Sequence, residues 1–285
     1  MDSCVFATKL IKKQRGTTQS VLTRCSDGAY YVLKFKNNPQ GLNALVSEVV
    51  TARLGQLLGL PVPGYAFVDV STALIAGSPS IVIVQGGVSL RYEAGVQFGS
   101  RTPLDGSGKT QVIDYMPASL AHCVDNLPTF AGALVLDSWT GLADYRPVVY
   151  VKSKESTVFS PIFIDHDRSF APFFAPQSEG TFPASHLSEF YDFVRGWGSF
   201  EPWLTIAETA GYQELEALVK GFPLEWEVPD RLGAQLLEYL LKRKTEIRTR
   251  IGRLHASGFV RLRNWGKPWP PVWSWAVRME SQFGG

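Results

Sequence analysis

Cysteine is scarce in this chain. There are three, Cys4, Cys25 and Cys123, an odd number without the paired spacing of a metal site. That excludes a disulfide-stapled scaffold and reads as free thiols in a reducing compartment. Long apolar runs are missing as well: none approaches the roughly 18 residues of a membrane-spanning helix. The opening Met1-Asp2-Ser3-Cys4, followed by Lys9, Lys12 and Lys13, has no apolar core of a signal peptide. A cytoplasmic protein without a membrane partner is expected. The four histidines, His122, His166, His186 and His255, are scattered. No His-Glu-x-x-His, Gly-x-Ser-x-Gly elbow, paired-cysteine motif or full Walker-type loop is present, so nothing supports those chemistries.

What remains is ordinary globular material. The chain has 285 residues, 45% hydrophobic and 19% charged, enough for one large domain or two lobes. The net charge of +2 hides an asymmetry. From Lys242 onward there are ten basic residues and two acids, a net of +8; the first 241 residues carry 18 basic and 24 acidic, a net of −6. A basic segment of this kind is a solvated helix face or a surface for an acidic partner.

The first part reads as strands, a helix, then more strands. Ser20–Arg24 and Tyr30–Phe35 flank a Ser26-Asp27-Gly28 turn and form a hairpin. Asn38 as cap and Pro39 at the first helical position start a long helix, with apolar residues from Leu42 to Leu58 at helical spacing. Gly59 and Pro61 end it. Tyr65–Val70 and Ser80–Val84 are short strands, and residues 85–112 read as loop with one short strand around Val96–Phe98. Further on come a buried helix at Phe130–Trp139, a hairpin of Val148–Val151 with Pro161–Asp165, two or three helices in 187–221, and one amphipathic helix from Pro229-Asp230 to Gly258. A β-rich part followed by a helical part is an α+β, two-lobed pattern. The expected domains are a nucleotide-binding lobe over 1–116, a helical lobe over 117–258 and a tail over 259–285.

A few charged residues fall in the order that phosphoryl transfer needs: a cation for the phosphates, an anion to hold it, and carboxylates for Mg²⁺ and for the attacking hydroxyl. Lys34 lies between Leu33 and Phe35 on an apolar strand, where an unpaired lysine is unusual; the alternative is an edge-strand lysine facing water. Glu48, fourteen residues later, would pair with it; off the apolar stripe, it could equally be solvated. Gly16, Thr17, Thr18, Gln19 and Ser20 could fold over phosphates and donate backbone N–H groups, or form an ordinary turn. Asp144, just after a buried helix, could orient the substrate hydroxyl and take its proton, or cap a turn. Asp165, at the exit of Ile162-Phe163-Ile164, is well placed for Mg²⁺, with Asp167 and His166 as secondary ligands or supporting partners.

These residues lie in stretches that resemble the HipA-like kinase family, its small stand-alone branch. The stretches are Tyr31-Val32-Leu33-Lys34-Phe35-Lys36-Asn37-Asn38-Pro39-Gln40-Gly41, Leu45-Val46-Ser47-Glu48 and Leu57-Leu58-Gly59-Leu60-Pro61-Val62-Pro63. Then come Phe98-Gly99-Ser100-Arg101, Asp137-Ser138-Trp139-Thr140-Gly141 with Ala143-Asp144, Ile164-Asp165-His166 with Phe170, and Pro223-Leu224-Glu225-Trp226. The resemblance implies a protein-kinase-like fold, ATP with Mg²⁺, and phosphorylation of serine or threonine. On it, Lys34 binds phosphate, Glu48 positions Lys34, Asp144 is the base and Asp165 binds metal. Two positions depart. HipA proper has an asparagine for the second Mg²⁺ five residues after the base, where this chain has Val149; Leu142 stands where relatives often have asparagine. The expected partners are ATP and a protein substrate, with a homo-oligomer open and nucleic acid disfavoured. A nucleotide-binding regulatory module and a small-molecule phosphotransferase are the alternatives.

The tail holds four of the eight tryptophans, Trp265, Trp269, Trp273 and Trp275, among Arg261, Arg263, Lys267 and Arg278. Pro268, Pro270 and Pro271 forbid a continuous helix, so an extended segment docked on the helical part or on a second subunit is expected, with a protein partner or nucleic acid as the alternatives.

Overall fold

The computed structural model describes residues 5–104, 106, 108–142, 147–176 and 187–269. The expected α+β class is present. Its N-terminal sheet is a closed five-stranded barrel, in the order β1 (Val5–Lys13), β2 (Val21–Cys25), β3 (Tyr30–Lys34), β7 (Gly95–Arg101) and β4 (Tyr65–Val70). The β2–β3 hairpin pairs as expected, Val21 opposite Leu33 and Arg24 opposite Tyr30. Strand β1 carries no such signal in the sequence: along it only Leu10 is buried. It closes the barrel through a parallel pairing of Val5 with Val68 and Phe6 with Asp69 on β4.

Helix α1 (Leu42–Leu57) connects β3 to β4 and starts later than expected. Asn38 closes a turn before it instead of capping it. Its Oδ1 accepts the Gln40 N–H at 2.8 Å, and its Nδ2 donates to the carbonyls of Phe35 (2.7 Å) and Gly41 (3.1 Å). After β4 come α2 (Thr72–Ala76) and a separate two-stranded hairpin, β5 (Ile83–Gln85) with β6 (Val88–Leu90). The stretch 85–112 is therefore richer in strands than expected, since β6, β7 and the start of β8 (Thr110–Ile113) all lie in it.

Strand β8 joins β9 (Val148–Ser153) and β10 (Ser160–Phe163) in a second antiparallel sheet. One core joins this sheet to α3 (Thr129–Thr140), α4 (Ala171–Phe174), α5 (Trp203–Thr209), α6 (Tyr212–Leu218), α7 (Asp230–Lys244) and α8 (Ile247–Ala256). The single helix expected from Pro229 to Gly258 is broken at Thr245–Glu246, where the Thr245 hydroxyl donates to the Lys242 carbonyl at 2.8 Å. The break lets Ile247, Ile251 and Leu254 reach the main core that α3 occupies.

Helix α1 belongs to two cores at once. Val46, Val50 and Leu54 join the core around α3, while Ala44, Leu45 and Val49 pack with Phe98 of β7 and Trp226. A helix covered on opposite sides buries its off-stripe positions too. Among the described residues, no helix is long and apolar enough to cross a membrane. The tail is described as far as Trp269: Val260 and Leu262 are buried, and Trp265 meets Trp197 edge-on, ring centroids 5.1 Å apart.

Candidate functional site

Three distant segments bring their charges together at Lys34. Strand β3 is interior to the barrel, flanked by β2 and β7, so Lys34 is no edge-strand residue. Its ammonium is buried, at 5% exposure, and donates to three carboxylates. Glu48 Oε1 on α1 accepts at 2.5 Å, Asp167 Oδ2 accepts at 3.0 Å, and Asp165 Oδ1 accepts as well. Glu48 is 2% exposed, not solvated, and its Oε1 also takes the backbone N–H of His166 at 3.0 Å. Asp165 lies two residues beyond the end of β10, in the left-handed region at φ 57°, a conformation that aspartate tolerates better than most residues. That reversal turns its carboxylate to Lys34, while Asp167 reaches the same ammonium from two residues on.

The charge balance is lopsided. One ammonium faces three carboxylates, an excess of two negative charges when all are ionised. Burial opposes charge on Lys34, but the attraction of Glu48, Asp165 and Asp167 wins and holds its pKa above the ordinary lysine value. Burial pushes the Glu48 carboxyl up to about 7, against the pull of Lys34 and with the two aspartates adding to the rise. Asp167 is raised as well, first by burial, with Lys34 opposing.

The carboxylate oxygens of Glu48, Asp165 and Asp167 lie within 4.8 Å of one another. All-oxygen donors with surplus negative charge suit a hard divalent cation such as Mg²⁺ or Mn²⁺. The Asp165 side chain is 43% exposed and gives such an ion access, so the residues present fit it.

Gly16 to Ser20 form the β1–β2 loop. Thr18 and Ser20 are buried, and Gly16 (φ 127°) and Gln19 (φ 51°) supply the left-handed geometry that folds the loop back. It is held from outside: the Gln40 side-chain amide donates to Thr17 Oγ1, and the Tyr92 hydroxyl donates to the Gln19 carbonyl at 2.5 Å. Gln40 belongs to the turn that follows β3, which ties the loop to the segment just beyond Lys34. Tyr92 and Gln40 were not legible as site residues. Neither was Gln97, fully buried on β7, whose Oε1 accepts the Lys36 N–H at 2.8 Å and steadies the chain past Lys34.

Asp144 lies outside the described residues. The helix before it, α3, ends at Gly141 in the left-handed conformation (φ 73°). Val149 is half-buried on β9 opposite Ile162, and Leu142 is buried. The tripeptide Gly108-Lys109-Thr110, passed over in the sequence, leads into strand β8 and not a helix. Pro103 stands where a Walker loop requires glycine. A cavity of about 650 Å³ between α6, α7 and Gly221–Pro229 includes none of Lys34, Glu48, Asp165 or Asp167. The buried charges, not this hollow, mark the candidate site, because strongly perturbed titratable groups gather where chemistry is done.

The chain is similar to several solved structures at low identity. A Helicobacter pylori proinflammatory kinase, CtkA, aligns with a TM-score of 0.48 at 11% identity, over 90% of this chain and 98% of that one. The Golgi casein kinase with Mn/ADP bound gives 0.47 at 13%, over 90% and 74%. Hydra Fam20 with sugar gives 0.46 at 12%, over 92% and 88%. No curated protein matches the chain. Residues 8–105, which include Lys34, Glu48 and the β1–β2 loop, match the model of the HipA-like kinase family, and this bears out the family resemblance of the sequence.

Proposed function

We propose that this chain is an ATP-dependent phosphotransferase of the HipA-like kinase type, moving the γ-phosphoryl group to a serine or threonine hydroxyl of a protein. One observation carries the reading: the buried Lys34 ammonium held among Glu48, Asp165 and Asp167. A lysine kept charged and aimed by an acidic helix residue is what the nucleotide phosphates require. In this reading ATP and Mg²⁺ bind between residues 1–116, the nucleotide lobe, and residues 117–258, the helical lobe.

Each residue has a role. Lys34 contacts the phosphates, and Glu48 fixes its direction. The β1–β2 loop offers backbone N–H groups to phosphate oxygens. Asp165 and Asp167 hold the divalent ion, which when bound neutralises charge on the phosphate oxygens. Asp144 accepts the proton of the attacking hydroxyl as its oxygen bonds to the γ-phosphorus and the bond to the ADP oxygen breaks. Release of Lys34 from one carboxylate accompanies entry of the phosphates, since its three donors are already taken by Glu48, Asp165 and Asp167.

A second reading, nucleotide binding with little transfer, draws on Val149, an apolar strand residue with no ligand atom. Labelled ATP with Mg²⁺ or Mn²⁺ and the protein alone separates the two. Phosphate on a serine or threonine of the chain supports the first reading. Tight ATP binding without transfer, in the presence of candidate substrates too, supports the second. No ATP binding at all overturns both.

A further inference from the structure

Outside the charged cluster, one side chain makes a connection that the proposed roles do not use. The Gln19 amide meets the backbone of Val84 in both directions. Its Nε2 donates to the Val84 carbonyl at 2.7 Å, and its Oε1 accepts the Val84 N–H at 2.8 Å. Val84 lies on β5, in the two-stranded β5–β6 hairpin that joins no other sheet. Gly86 (φ 58°) and Gly87 (φ 80°) form its tight turn, the signature of a two-residue hairpin loop. In such a hairpin Gln85 and Val88 are the hydrogen-bonded pair, and Val84 opposite Ser89 is a non-hydrogen-bonded pair. The backbone of Val84 therefore points away from β6, and Gln19 occupies it as a further strand would.

The hairpin is tied to the barrel along β5. Ile83 is 1% exposed in the barrel core, next to Tyr92, whose hydroxyl binds the Gln19 carbonyl. Lys13 Nζ, at the end of β1, donates to the Val82 carbonyl at 2.9 Å. An isolated two-stranded hairpin is marginal by itself, so these ties order the hairpin and the β1–β2 loop together. We propose that Gln19 is a positioning residue: its side chain locks the β1–β2 loop to the β5–β6 hairpin and thereby sets how the loop meets the nucleotide phosphates. This rests on the proposed ATP site.

Two variants remove the lock from opposite sides. Gln19→Ala deletes both hydrogen bonds. Val84→Pro deletes the N–H that Gln19 accepts, a group the β5–β6 ladder does not use, and proline fits such a position. Titration calorimetry with MgATP and with adenosine gives the readout. Each variant is expected to weaken MgATP about tenfold and leave adenosine within about twofold, because adenosine has no phosphates for the loop to meet. General loss of structure would weaken both ligands. Unchanged MgATP affinity in the two variants, with Lys34→Ala binding no MgATP, overturns the lock and keeps the site. Equal weakening of MgATP and adenosine also overturns it. Full MgATP affinity in Lys34→Ala overturns the site and the lock together.

Discussion

Lys34 Nζ lies 2.5 Å from Glu48 Oε1, across the turn between β3 and α1, and both side chains are shut off from water. Breaking one half of such a pair leaves the other buried and uncompensated. Lys34→Met is expected to lower stability by about 3–5 kcal/mol, and adding Glu48→Gln to recover part of the loss. Because Lys34→Met frees three carboxylates, Mn²⁺ should raise its melting temperature more than that of the unaltered protein. Thermal melts with and without Mn²⁺ decide it; equal Mn²⁺ shifts in both proteins would sink the idea of a carboxylate metal site here.

The two aspartates and Asp144 should separate by assay. Asp165→Asn and Asp167→Asn each remove a carboxylate oxygen from the cluster, so metal-dependent ATP binding should fall at least about tenfold. Asp144→Asn should leave ATP binding within about twofold and abolish phosphate transfer, since a base acts only in the chemical step. Calorimetry beside a labelled-ATP assay tests both. Equal loss of binding in all three variants would make Asp144 a ligand and not a base.

The Glu48 carboxyl predicts a pH dependence of folding. Its value is raised by burial from 4.5 to about 7, so the folded protein holds a proton that the unfolded chain gives up between those values. The stability from this proton is fully present below about 4.5 and is lost as pH rises through about 7. Glu48→Gln mimics the protonated form and lacks that loss. The stability of the unaltered protein relative to Glu48→Gln should therefore fall steadily from pH 5 to pH 8 in urea unfolding without metal. A constant difference would show that Glu48 does not titrate in this range.

The sequence carried the site unevenly, and the reasons are physical. Lys34 was visible because a lysine inside an apolar strand is a local anomaly. Asp165 was visible because it follows a short apolar run. Glu48 was legible as the partner of Lys34 only through its spacing: off the apolar stripe it resembles a solvated residue, since local periodicity assumes one buried face, whereas α1 is covered by the α3 core on one side and by Phe98 and Trp226 on the other. Strand β1 was missed for the opposite reason: only Leu10 is fully buried, with Val5 and Ala7 partly buried beside it, and the strand is held by backbone pairing to β2 and, far along the chain, to β4. Barrel closure through Val5–Val68 leaves no mark on either strand's own pattern.

Gly141 should tolerate no side chain. It has φ 73°, and a Cβ there would come within 2.5 Å of the Tyr239 hydroxyl and 2.9 Å of Arg243 Nη2. Arg243 is itself buried, donating to the carbonyls of Ser138 (2.7 Å) and Trp139 (3.0 Å) at the end of α3. Gly141→Ala is expected to cost about 1–3 kcal/mol from the backbone strain and the displaced neighbours. Phosphate transfer should drop with it, because Asp144 follows three residues on. Urea unfolding gives the first quantity and the labelled-ATP assay the second; a variant as stable as the unaltered protein would mean that the α3 end relaxes freely.

The tail makes the last separable case. Residues past α8 pack on the helical core: Val260 is 1% exposed, Leu262 is 3% exposed, and Trp265 meets Trp197, Phe200 and His255. Asn264 Nδ2 donates to the Asp192 carbonyl at 2.8 Å, and the Gly266 N–H donates to that of Arg195. Each buried aliphatic side chain contributes about 1.5–3 kcal/mol. Truncation after Gly258 should therefore cost at least about 3–5 kcal/mol and expose Trp197 and Phe200. Truncation after Trp269 keeps all these contacts, so any change it causes belongs to residues 270–285 alone. Melting temperature and sizing of both truncations give the answer. If ending the chain at Gly258 is as harmless as ending it at Trp269, the packing of Val260, Leu262 and Trp265 does not hold the helical core, and the tail is an appendage.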